Sequence, residues 1–122
     1  MPDKDKLNKG LYILLIRLDE GKEIKVGSLG SFDFESGLYF YVGSGMNNLD
    51  KRVERHLSED KKKHWHIDYF LGEAKIVATA KFRTEKDMEC ELNGVVSEVC
   101  GETPVEGFGS SDCSCTSHFH IY

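Results

Sequence analysis

Proline is nearly absent, at two residues in 122, and beyond the N-terminus only Pro104 interrupts the chain, where it marks the end of a helical region. Long apolar runs are missing as well. The longest near the start, Leu11 to Ile16, is far too short to cross a bilayer. Residues 1–6 alternate charges and hold no apolar core of the kind a secretory leader needs. Together these absences predict a cytoplasmic protein. Basic charge is in deficit, with 16 Lys/Arg against 21 Asp/Glu and a net charge of −5. That balance argues against indiscriminate binding to nucleic acid, whose affinity comes mostly from neutralising phosphates. Cysteines number four, which in an intracellular chain points to free thiols or a metal rather than disulfides. There is no internal repeat and no low-complexity segment.

What is present is enough for one domain with a real core: 39% of residues are hydrophobic and 30% charged. Residues 1–9 read as a loose polar lead-in. Gly10–Ile16 is apolar on both alternating faces, as a strand covered on both sides would be. Glu23–Val26 alternates as a half-exposed strand, and the glycine and serine breaks around Phe32 and Phe34 predict a second short hairpin within residues 27–36. Gly37–Gly43 is a strand with Tyr39 and Tyr41 on one face and Leu38, Phe40 and Val42 on the other. Asn47 or Asn48 then caps a helix whose apolar stripe is Leu49, Val53 and Leu57. Residues 65–71 predict a short helix. Ala74–Phe82 predicts a strand buried on one face. Thr84 and Asp87 resemble a capping box for a helix burying Met88, Leu92, Val95, Val96 and Val99. Residues 117–122 predict a last strand. The expected order, β-β-β-α-α-β-α-β, is an α/β or α+β domain built on a small central mixed or antiparallel sheet flanked by helices.

Chemistry concentrates where the strand Gly37–Gly43 runs through Ser44 into the basic helix. Residues 51–63 hold Lys51, Arg52, Arg55, Lys61, Lys62 and Lys63 against Glu54, Glu59 and Asp60. For the lysines a solvated helix face suffices as an explanation. Arg52 and His56 differ, because about 100° per residue places both on one flank of the apolar stripe, beside the core. Arg52 offers a permanent planar charge whose fork matches phosphate oxygens. Taken alone, a tyrosine at a strand end is more often a core-edge packing residue, and an arginine more often an ion-pair partner.

Gly10-Leu11-Tyr12, Tyr41-Val42-Gly43 and Asn48-Leu49-Asp50-Lys51-Arg52 resemble the Gly-Ile-Tyr, Tyr-Ile-Gly and helix-arginine motifs of the GIY-YIG endonuclease superfamily. The histidine four residues after the arginine, His56, fits the same pattern. His64-Trp65-His66-Ile67-Asp68-Tyr69 and Gly107-Phe108-Gly109-Ser110-Ser111-Asp112-Cys113 resemble a mostly archaeal, uncharacterised branch placed near that superfamily, the domain of unknown function 123. The resemblance implies a small sheet flanked by helices with an extra hairpin inserted between the two tyrosine motifs. It also implies a catalytic carboxylate on a later helix, at Glu91, holding Mg²⁺, and a DNA substrate, with branched or damaged DNA as candidates. By the same resemblance Tyr12 or Tyr41 deprotonates the attacking water. A phenol of ordinary pKa near 10 needs about 4 kcal/mol of local electrostatics to act near neutrality. His56 is an alternative base that needs no such help. A second Gly-Leu-Tyr, at 37–39, competes for the first motif. The expected site is therefore Tyr12, Tyr41, Arg52, His56 and Glu91, with Gly43, Ser44, Arg55, His64, His66, Ser110, Ser111 and Asp112 around the substrate.

A second cluster, Cys113, Cys115, His118 and His120, has ligand types suited to Zn²⁺, though the cysteines are spaced too closely for a usual structural site. The competing reading places the Gly107–Asp112 loop at the rim of the tyrosine and arginine site. Two functions remain open on the sequence: a Mg²⁺-dependent endonuclease, and a non-catalytic module for nucleic acid or a protein partner that keeps the fold and the basic helix.

Overall fold

The computed structural model describes residues 8–58, 65–100, 108 and 117–122. Its elements are β1 (Gly10–Leu18), β2 (Lys22–Val26), β3 (Gly30–Phe34), β4 (Gly37–Gly45), α1 (Leu49–Leu57), α2 (His66–Leu71), β5 (Lys75–Arg83), α3 (Glu89–Cys100) and β6 (Phe119–Ile121). The fold is a mixed α+β domain. Its four-stranded sheet has the order β5-β1-β4-β6, antiparallel at every pairing, and β2 and β3 form a separate two-stranded sheet. The predicted order lacked one strand, because the segment between β2 and β4 supplies β3 as a full partner to β2.

Register assigns the faces. Tyr12, Leu14 and Ile16 of β1 stand opposite Gly43, Tyr41 and Tyr39 of β4, and Tyr39 and Tyr41 stand opposite Ile121 and Phe119 of β6. This face carries the core. Phe119 stacks on Tyr39 at 5.1 Å and on Phe108 at 4.3 Å, and Phe70 of α2 and Phe34 of β3 close against the same rings. The inserted hairpin thus reaches the main core through Ile24, Val26 and Phe34 while staying outside the main sheet. On the opposite face, His120 shares a side with Phe40 and meets Asn93 of α3, so α3 lies across β4 and β6 there.

Three sequence expectations need correction. β5 is not buried on one face; all but Ile76 of it is exposed. The pairing with β1 shifts between Leu15 and Ile16, so Ile76 faces Ile16 while Ala78 faces Leu15, on opposite sides of the sheet. A run that alternates in sequence therefore changes face at an edge strand. On α1, Leu57 is 52% exposed, and His56 takes its place beside Leu49 and Val53. On α3, Val96 is buried but Met88, Val95 and Val99 are exposed. The inward stripe is Glu89, Asn93 and Val96, spaced i, i+4, i+7. Asp87 rather than Thr84 accepts the Glu89 N–H at the helix start, while Thr84 closes a turn onto Lys86 N–H. Asn48 caps α1 as expected, accepting from Lys51 N–H at 3.0 Å, and its oxygen also takes Asn8 Nδ2 at 2.8 Å.

Candidate functional site

The site begins with a steric vacancy in β4. Tyr12 and Gly43 are cross-strand partners, and a Cβ at Gly43 would come within 2.3 Å of the Tyr12 ring and hydroxyl. Only glycine lets that ring lie across the strand. At the other end of the motif, a Cβ on Gly10 would meet the Phe82 carbonyl oxygen at 2.0 Å, so β5 can close on β1 only at a glycine. The Tyr12 hydroxyl reaches Nε2 of His56 at 2.7 Å, and both residues are buried. In the tautomer with hydrogen on Nδ1, the hydroxyl donates and the imidazole accepts. Tyr41 completes the cluster, its ring 6.4 Å from Tyr12 and 6.1 Å from His56. Burial drives Tyr12 well above the ordinary phenol range, and the Arg52 guanidinium opposes that shift by its charge and a hydrogen bond. Burial raises Tyr41 too, with Tyr12 and Glu89 adding to it.

Arg52 enters this cluster from the half-buried flank of α1. Its Cζ lies 4.4 Å from the centroid of the Trp65 ring, and Arg55 Cζ lies 4.2 Å from the same ring. Arg55 is held by Asp68, a two-pronged pair with distances of 3.1 and 3.0 Å. Asp68 is fully buried and also accepts the Trp65 N–H at 2.9 Å, which fixes the start of α2.

The carboxylate that meets this cluster comes from the first turn of α3. Ser44 Oγ donates to Glu89 Oε1 at 2.8 Å, and His118 Nδ1 lies 2.7 Å from Oε2. The same nitrogen is 3.2 Å from the Val42 carbonyl, and with two acceptors in front of it, Nδ1 carries the hydrogen. Burial acts to raise the Glu89 pKa, yet the hydrogen bonds from His118 and Ser44, with the charges of His118 and Arg52, hold the carboxyl below its usual value. An ionised carboxylate and a guanidinium therefore flank two neutral phenols and an imidazole.

A model of the domain of unknown function DUF123 matches residues 11–122. The chain belongs to the DUF123 family. No curated protein matches it, and no solved structure does.

Within this DUF123 fold, four of the five residues expected from sequence converge: Tyr12, Tyr41, Arg52 and His56. Glu91 does not join them. It is exposed, and two positions of helix place it about 200° around α3 from Glu89. The sequence conceals Glu89 because the more apolar stripe of α3 reads as the inward one, whereas the structure offers Ser44, His118 and His120 as polar partners there. Gly43 supplies space for Tyr12, and Ser44 orients Glu89. Arg55 is committed to Asp68. The half-buried His66 ring packs against Phe108 at 5.6 Å. Tyr39, the alternative first-motif tyrosine, donates its hydroxyl to the Glu35 carbonyl and stacks in the core. His64, Ser110, Ser111, Asp112, Cys113 and Cys115 lie outside the described residues. His118 faces Glu89, and the buried His120 sets Nε2 against Asn93 Oδ1 at 2.7 Å, so the two histidines serve different neighbours. Among the described residues no group of three or more His, Cys, Asp or Glu side chains is placed to hold a metal ion. Nor, among the described residues, is any helix long and apolar enough to cross a membrane.

Proposed function

We propose that this protein is a Mg²⁺-dependent phosphodiesterase of the GIY-YIG type that cuts DNA. The observation that carries the reading is the convergence, from three separate elements, of the Tyr12–His56 pair, Arg52 and Glu89 at one end of the sheet. Packing alone needs no half-buried ionised carboxylate beside two phenols and a guanidinium. The residues present fit Mg²⁺, which keeps several waters and takes one protein carboxylate with substrate oxygens. Glu89 is that carboxylate: ionised, a quarter exposed, and oriented by Ser44 and His118, with a second lone pair on each oxygen. When bound there, the ion supplies positive charge to a phosphate oxygen and lowers the pKa of its own water.

The rest follows from the chain's side chains. Arg52 neutralises the charge that develops on the phosphate oxygens, and its planar fork fixes the scissile group in orientation. His56 accepts the Tyr12 proton through Nε2, which frees the phenolic oxygen to take a proton from the attacking water. Tyr12 does not ionise alone in so buried a place, so the imidazole is the effective base and the phenol its carrier. Tyr41 walls the cluster and keeps the pair dry. A nicked, flapped or branched DNA incubated with and without Mg²⁺ tests the reading. Cleavage that needs Mg²⁺ and disappears in R52A and E89Q is expected. Cleavage that survives in both purified variants, or a wild-type protein that binds such DNA without cutting it, sinks the proposal in favour of a non-catalytic binding module.

A further inference from the structure

The geometry points to Trp65 as a positioning residue that carries Arg52 into the site. An arginine side chain is rich in rotamers, and a guanidinium that must meet a phosphate in one orientation has to lose that freedom beforehand. Arg52 loses it by stacking on the indole face. A carboxylate partner would have consumed the N–H donors, which lie in the plane of the guanidinium. Stacking uses its face and leaves the in-plane donors to the Tyr12 hydroxyl and to a ligand.

The indole is itself held. Its backbone N–H is accepted by Asp68, its ring carries Arg55, and Arg55 is tied back to the same buried Asp68 by two hydrogen bonds. The ring also packs against His56 at 5.5 Å. One side chain thus sets the base and the cation relative to each other, from an anchor at the start of α2. The class of ligand this serves is a phosphate oxyanion, and that functional half rests on the phosphodiesterase reading. The stacking itself does not.

Trp65 is the only tryptophan in the chain, so its emission reads the contact without any turnover. Quenching by neutral acrylamide is expected to rise at least about 1.5-fold in R52A, with R52K between it and wild type. Emission and quenching unchanged in R52A overturn the contact. For the role, kinetics on a cleavable DNA are compared in W65F and W65L. W65F, which keeps an aromatic face, is expected within about threefold of wild type. W65L is expected to lose about tenfold in kcat with KM within threefold and an unchanged thermal midpoint. Equal losses in W65F and W65L, or a loss confined to KM, overturn the role. If W65L folds poorly, R55Q releases the ring without altering it and is expected to raise quenching and lower kcat; no change in either overturns the clamp. If wild-type protein cuts no DNA, the phosphodiesterase reading fails separately. Anisotropy of a labelled duplex then replaces turnover, and equal affinities of W65L and wild type overturn the role.

Discussion

Gly43 shows how little a motif residue need do to be indispensable. It contributes no functional group, yet the space it leaves is filled by the ring that meets His56. G43A is therefore expected to destabilise the fold by about 2 kcal/mol, since the Tyr12 ring must move to admit one methyl group. Urea unfolding measures that loss, and the ring current that Tyr12 exerts on His56 should change in the proton spectrum of the same variant. The acidic residues of α3 give a second contrast. E89Q should abolish Mg²⁺-dependent cleavage while E91Q stays within about twofold of wild type, a comparison on which the whole carboxylate assignment turns. At this scale the sequence was a good guide where a side chain's own element fixed its place. Arg52 and His56 were legible from helical spacing alone. Glu89 was not, because its inward direction depends on polar partners, Ser44 and His118, that lie 45 and 29 residues away.

At the scale of elements, α3 turns Glu89 and Asn93 inward together with Val96, and leaves Val95 and Val99 outside. Asn93 holds β6 and the residue leading into it, donating to the Ser117 carbonyl at 2.8 Å and meeting His120 at 2.7 Å. Its replacement by alanine leaves buried acceptors and donors unmatched, and N93A should cost about 2–3 kcal/mol. V95S and V99S, on the exposed face, should change stability by less than about 0.5 kcal/mol. Denaturant midpoints of the three variants check the orientation of the helix directly. A periodicity argument assigns the inward side to the apolar stripe, and that rule fails when the sheet beneath offers buried polar partners such as Ser44 and His120. The same kind of failure affects β5. Its alternation is genuine, but one shift in register with β1 transfers the pattern from one face to the other. The existence and order of most elements, and the hairpin between the tyrosine motifs, were nonetheless readable from turn chemistry and period.

For the molecule as a whole, buried phenols set a ceiling on pH. Tyr39 is pushed up to about 12, first by burial and then by the Glu35 charge, and burial raises Tyr12 and Tyr41 as well. A group whose pKa is higher in the folded state contributes stability below its unfolded value and loses it as pH rises through the folded one. Stability should therefore hold to about pH 10 and fall steeply from there toward 12. Absorbance at 295 nm during an alkaline titration should show these three phenolates appearing together with the loss of structure. Ionisation of all three in a protein that stays folded would contradict their burial.

The separation of the β2–β3 hairpin from the main sheet has a kinetic consequence. β1 must find β4 across an intervening hairpin and β5 across two helices, pairings distant in sequence and correspondingly slow to form. β2 and β3 need only a short turn, and hairpins close in about 1–10 μs. Folding is thus expected to start in the segment that contributes nothing to the chemistry, with Phe34 as the first fixed wall against which Phe70, Tyr39 and Phe119 later assemble.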